Sequence, residues 1–308
     1  MSEDYWERKH SGDVMADIKE VVIVSGKGGT GKTSLAGALS SLFQDKVIAD
    51  CDVDAANLHI IVKPEEVQWQ KEFTGGKKAS IDLKKCTQCN ICRDACNYNA
   101  ISEEYMVDRV LCEGCGACYF LCPAKAVEFT PQLAGYCYIC SALGDQIFVF
   151  AELLPGEENS GKLVAMVRNE ARQEAQKAGK SLILIDGPPG IGCPVISSLS
   201  GTHLAVVVSE PTPTGVHDLR RIVELARHFQ IKTALVVNKS DINPRFVNQM
   251  KQYCQDEGII YLGEIPYEVK ITEAQRQMKT ILDFTPHCEA SRAIKEIYKK
   301  LTSILEEL

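Results

Sequence analysis

The sequence predicts an α/β chain: a doubly wound parallel sheet with helices on both faces, interrupted by a small cysteine-rich insert. Three observations predict it. An apolar run, a glycine-rich loop and a helix-like stretch follow one another over residues 21–43. Further apolar runs end at Asp50, Asp186 and Asn238. Between Cys86 and Cys122, eight cysteines repeat one spacing twice. In such sheets ligands bind at the carboxyl ends of the strands.

The first unit carries the strongest motif. Val21-Val22-Ile23-Val24 reads as a buried parallel strand, and residues 34–43 as a helix. Between them, Ser25-Gly26-Lys27-Gly28-Gly29-Thr30-Gly31-Lys32-Thr33 fits G-x-x-x-x-G-K-[ST]. Glycines let consecutive N–H groups wrap a phosphate, and the helix N-terminus adds a favourable dipole. Lys32 is expected to neutralise the β- and γ-phosphates, and the Thr33 hydroxyl to ligand Mg²⁺. Ser34 completes the expected nucleotide-binding run.

With Lys27 at its head, K-G-G-x-G-K-T resembles the deviant P-loop of the MinD/ParA/Mrp group of ATPases, to which the nitrogenase iron protein also belongs. The resemblance implies a nucleotide-dependent homodimer in which Lys27 crosses to the partner's nucleotide. The next short strand, residues 46–50, ends in Asp50-Cys51-Asp52, similar to the family's D-x-D. By that resemblance Asp50 holds Mg²⁺ through water. Asp52, in the first switch loop, positions or activates the attacking water. Asp54 receives no role.

Residues 64–80 read as a polar loop, with Gly75-Gly76-Lys77-Lys78 as a linker. Cys86-x2-Cys89-x2-Cys92-x3-Cys96 then shows the bacterial ferredoxin spacing. Cys112-x2-Cys115-x2-Cys118-x3-Cys122-Pro123 repeats it 26 residues later. The fourth cysteine of each run reaches the other cluster. One 4Fe–4S cluster is therefore expected on Cys86, Cys89, Cys92 and Cys122, and a second on Cys112, Cys115, Cys118 and Cys96. Gly114, Gly116 and Ala117 leave room in the loops. Asn97 stands where a proline is expected after Cys96, and is expected to alter that turn. The reading places a ferredoxin-like insert at 81–130, the nucleotide domain at 18–80 and 131–308, and a loose extension at 1–17.

Downstream, two apolar runs around Gly144-Asp145 read as a hairpin. Cys137 and Cys140 lie three apart on a strand, hence on opposite faces, and read as packed thiols rather than a metal pair. A helix is expected over 163–178, ended by Gly179. The run 181–186 has the Walker B pattern, with Asp186 beside Mg²⁺. Residues 187–192 form the second switch loop, whose glycines let the backbone sense the γ-phosphate. Cys193 has two readings: a small buried residue at a helix start, which takes precedence, or a cluster ligand shared across a dimer axis. The second rests on the nitrogenase iron protein, which places a ligand at the same separation from its Walker B aspartate. A strand at 204–208 and the loop 210–214 lead into a helix near Asp218. Asn238 is placed to read a nucleobase, as its equivalent does in the family. Pro266 resembles the family's second base-contacting loop. N-K-x-D from Asn238 to Asp241 also matches the guanine-reading motif, so GTP stands beside ATP. The C-terminal stripe Ile294, Ile297, Tyr298, Leu301, Ile304 and Leu305 reads as core packing rather than a membrane face.

Composition narrows the function. Net charge is −7, which argues against a nucleic-acid partner. No apolar run reaches the roughly 18 residues that would span a bilayer. The polar N-terminus lacks a signal-peptide core, so a cytoplasmic protein is expected. Ten of the fourteen cysteines lie between Cys86 and Cys140, which in a reducing compartment reads as metal ligation. The expected function is an ATP hydrolase that gates electron flow through two 4Fe–4S clusters to a redox partner. The alternative is a carrier or scaffold that hands clusters to an apo-metalloprotein. An amidoligase of the cobyrinate-synthase type shares the P-loop but leaves the insert unexplained.

Overall fold

The computed structural model describes residues 18–142, 146–157 and 160–308. Along β1 (Lys19–Ser25), Val21 and Ile23 pack on one side of the sheet, and Val22 and Val24 on the other. A strand apolar on both faces needs a helical layer over each. The chain then runs α1 (Lys32–Leu42), β2 (Lys46–Asp50), α2 (His59–Val62), β3 (Pro64–Ile81), α3 (Ile91–Asp94), α4 (Ala117–Leu121), β4 (Val127–Ala142) and β5 (Gln146–Leu153). It continues α5 (Ser160–Ala178), β6 (Leu182–Pro189), α6 (Cys193–Leu199), β7 (Leu204–Ser209), α7 (Pro213–His228), β8 (Lys232–Asn238), α8 (Pro244–Glu257), β9 (Ile260–Ile265), α9 (Val269–Arg276), α10 (Ile281–Phe284) and α11 (Glu289–Glu306).

The strands form one nine-stranded sheet in the order β3-β4-β5-β2-β6-β1-β7-β8-β9. From β5 to β9 every neighbouring pair is parallel; β3 and β4 add an antiparallel ribbon at one edge. Residues of α5, α6, α7 and α8 pack one face, and those of α1, α10 and α11 the other. Ile294, Ile297 and Leu301 of α11 are buried there, with Tyr298, Ile304 and Leu305 packed beside them. Among the described residues no helix is long and apolar enough to cross a membrane.

Three expectations change. Residues 64–80 are not a loop: they form β3, whose long face-exposed stretch hid it. Val67, Trp69 and Phe73 keep a period of two, but the charged and amide residues between them read as solvent loop. The ladder to β4 orders them, and the register shifts between Thr74 and Lys77 absorb the Gly75-Gly76 pair. The helix expected from 163 begins at Ser160. Cys193 does open a helix, but it is exposed rather than buried. Cys137 and Cys140 face opposite layers and are both buried, as alternation requires. Strands β4 and β5 pair antiparallel up to Ala142 and Gln146; Gly144-Asp145 lies outside the described residues.

Residues 82–126 cap the far end of the β3–β4 ribbon. The last ladder pair is Ile81 with Val127, and within the cap Ile101 pairs with Val107. Adding 26 to one member of each pair gives a member of the other, so the two pairs are related by the sequence repeat.

Candidate functional site

The glycine-rich loop turns back over the end of β1. Gly31 has φ +89, and a Cβ there would lie 2.3 Å from Asn238 Nδ2, so a side chain is excluded on both counts. Gly26 packs against Asp218, where an added Cβ would lie 2.1 Å from the Asp218 Cβ. The free N–H groups of α1 open into a cavity of about 670 Å³. Gly28 to Ser34, Asp52, Asn238 and Pro266 line it. Asp50 and Asp186 lie beneath the loop, fully buried.

Charge is concentrated under that cavity. Lys32, 6% exposed, donates to Asp186 Oδ1 (2.8 Å) and stands 3.6 Å from Asp52 Oδ2. Burial would lower its ammonium pKa, but Asp186, Asp52 and Asp50 outweigh that and raise it. Burial, reinforced by Asp186, pushes the Asp50 carboxyl well above the usual range. Its oxygens accept from the Asp52 and Leu58 amides (3.0 and 3.1 Å). Burial likewise raises Asp52, against the pull of Lys32. The second oxygen of Asp186 is buried with no protein donor. Three acids around one lysine, with an unpartnered carboxylate oxygen, suit a divalent cation.

The Asn238 side of the cavity is built by contacts that no sequence motif marks. Asn238 Nδ2 donates to the Thr30 carbonyl (2.7 Å) and Lys239 Nζ to the Gly29 carbonyl (3.2 Å), so β8 braces the loop. Asp241 accepts from the Tyr267 amide (2.7 Å), fixing the segment that presents Pro266. Gln275 of α9 donates to the Ser34 hydroxyl (2.8 Å). No short motif marks Gln275, which reaches the loop through tertiary packing. Lys27 lies outside the cavity lining and pairs with Glu210 (2.9 Å); Lys239 pairs with the other oxygen of the same carboxylate. Burial works against the Glu210 anion, yet the two lysines hold its pKa below the usual range.

The cysteines form a second cluster of chemistry. Cys86, Cys89, Cys92 and Cys122 line one cavity; Cys96, Cys112, Cys115 and Cys118 line another. Each quartet combines three cysteines of one run with the fourth of the other. The backbone repeats too. Gln88 and Gly114 share a left-handed φ (56 and 64), as do Asn90 and Gly116 (65 and 76). The Ala100 amide donates to Cys96 Sγ (3.4 Å) and the Ala126 amide to Cys122 Sγ (3.3 Å). The turn after Cys96 is not altered by Asn97: Asn99 and Lys125 take the same conformation (φ 51 and 49). Among the described residues no three His, Cys, Asp or Glu side chains converge on one metal-ion position. Cys193 stands apart from both quartets, beside Gly161 at the start of α5.

The CobQ/CobB/MinD/ParA nucleotide binding domain family matches residues 21–281. The chain belongs to that family. It is a P-loop ATPase of the MinD/ParA type. An uncharacterised protein of Methanocaldococcus jannaschii is 31% identical over 297 residues, 95% of this chain and 100% of that protein. An iron-sulfur cluster carrier protein of Pyrococcus horikoshii is 25% identical over 162 residues, 48% of this chain and 54% of that protein. The septum site-determining protein MinD of Pyrococcus horikoshii, complexed with Mg-ADP, superposes with a TM-score of 0.58 at 18% identity, covering 92% of this chain and 96% of that one. That likeness is one of fold.

Proposed function

We propose that this MinD/ParA-type ATPase uses MgATP binding and hydrolysis, in a homodimer, to govern electron transfer through two 4Fe–4S clusters to a partner protein. The pair of cysteine quartets carries the reading. Cys86, Cys89, Cys92 and Cys122 would hold one cluster, and Cys112, Cys115, Cys118 and Cys96 the other. In a cubane each thiolate meets a different iron, so four thiols around a cavity suit it better than three donors on one point. Such clusters supply one-electron chemistry. The Ala100 and Ala126 amides, which donate to the fourth cysteine of each run, would favour the reduced state by stabilising negative charge on sulfur.

On the nucleotide side, Lys32 exchanges its Asp186 partner for the β- and γ-phosphates. Asp186, released from that pairing, would stand beside Mg²⁺, Asp50 would hold it through water, and the Thr33 hydroxyl would be a ligand. Asp52 orients the attacking water. Lys27 leaves Glu210 to reach the nucleotide of the partner subunit. Asn238 and Pro266 border the base.

The test is anaerobic. Protein carrying about eight irons per chain, from two 4Fe–4S clusters, should pass electrons to an acceptor faster with ATP than with ADP. Equal rates would sink the coupling. A second reading, delivery of clusters to an apo-metalloprotein, is favoured by the relatives named as iron-sulfur cluster carriers. Loss of iron to an apo-acceptor in the presence of ATP would select it. The eight-cysteine arrangement, with four thiols around each cavity, favours retention over delivery.

A further inference from the structure

The two halves of the cysteine segment share a backbone but not their surroundings. The first loop, residues 83–90, bonds within the segment: Lys85 pairs with Asp82, and Tyr105 donates to Gln88 and Asn90. The second loop, residues 109–116, is docked on the ATPase body. Lys78 of β3, with a side chain 11% exposed, donates to the Arg109 carbonyl (2.7 Å) and to Glu157 (2.8 Å). Gly114 lies against the Lys77 carbonyl, where an added Cβ would come within 2.4 Å. A Cβ on Gly156 would touch Val110 at 3.8 Å.

Glu157 in turn lies between β5 and α5, and the adjoining ends of those two elements lie against residues next to both expected switch loops. At the end of β5 the Leu153 amide donates to the carbonyl of Val53, the residue after Asp52 (3.2 Å). At the start of α5 a Cβ on Gly161 would stand 3.3 Å from Cys193 Cβ, where the second switch enters α6. Movement of either switch therefore reaches Glu157 within a few residues of chain.

We propose that Lys78 is a positioning residue that transmits the nucleotide state to the second cysteine loop through Glu157 and the Arg109 carbonyl, leaving the first loop uncoupled. The cluster assigned to Cys112, Cys115, Cys118 and Cys96 is then the one whose environment changes with nucleotide. The inference rests on the two-cluster reading, and the repeat supplies its own control.

The experiment compares amide hydrogen exchange of residues 109–116 and 83–90 in anaerobic full-length protein, with ADP and with a non-hydrolysable ATP analogue and Mg²⁺. Exchange in 109–116 should differ about tenfold between the two nucleotides while 83–90 stays constant. Lys78→Gln and Glu157→Gln should abolish the difference with nucleotide affinity unchanged, and Lys78→Arg should keep it. Glu157→Gln retains the Lys78 bond to Arg109 and decides the matter if Lys78→Gln loses iron. Equal responses of the two loops, no response, or an intact response in Glu157→Gln would overturn the proposal. Iron and sulfide are assayed on the same samples: their absence sinks the two-cluster reading, while the loop asymmetry is still scored on exchange alone.

Discussion

Lys32 is the hinge of the site at the residue scale, because its ammonium already has carboxylate partners that a triphosphate must displace. Lys32→Ala should weaken MgATP binding by about 100-fold or more, since a buried charge-assisted pair is lost; calorimetric titration reads it. Lys27 differs, being tied to Glu210 at the rim. Lys27→Ala should keep affinity within about threefold and cut hydrolysis by at least about 100-fold, as loss of a trans-acting cation does in related chemistry. Wild-type turnover in that variant would remove the trans role. Lys46 reports on the core instead. It is fully buried, it donates to the Phe43 carbonyl (2.6 Å), and burial, with Lys180 nearby, lowers its pKa to about 8. An unfolded lysine keeps its proton to about 10.4. Between those values the unfolded chain binds more protons, so this group makes stability rise with pH. Denaturant unfolding at pH 8 and pH 10 should show a rise on the order of 2 kcal/mol in wild type that Lys46→Met lacks. Parallel pH dependence in both would discard the assignment.

At the scale of elements, legibility followed burial pattern. Strands apolar on both faces, such as residues 21–24, announce themselves, because both helical layers demand apolar side chains there. β3 did not. Its residues are held by ladder bonds to β4 rather than by burial, and backbone pairing leaves no mark on side-chain composition. The same distinction governs the site. Lys32 was placed by its motif and Asp52 and Asn238 by resemblance to a family, and the structure brings all three to one cavity. Glu210, Lys239 and Gln275 serve by proximity across 180 residues or more of sequence, where spacing carries no information. The cysteine repeat predicts that each run lends its fourth thiol to the other, and each cavity is lined by three cysteines of one run and the fourth of the other. Cys96→Ala should therefore lower iron from about eight toward about four per chain. The loss should fall on the signal that Cys115→Ser also removes, and not on that of Cys89→Ser. Spectra of the reduced variants decide it; loss of the Cys89-dependent signal in Cys96→Ala would reverse the pairing.

For the whole molecule, the parallel sheet and its two helical layers are continuous from β5 to β9, and the antiparallel ribbon with the cysteine segment at its tip sits at one edge. Residues 82–126 enter and leave through adjacent, paired positions, Ile81 and Val127. Chain ends that close together can be joined by a short turn at little cost in closure entropy. Linking Ile81 to Val127 through Asn-Gly should give a shorter protein that folds, binds MgATP and carries no iron. Failure of that chain to fold would mean the cap is needed by the sheet. A segment that enters and leaves at the tip of an edge hairpin touches none of the sheet's crossovers, so it can be lengthened or removed without redrawing the connections beneath it.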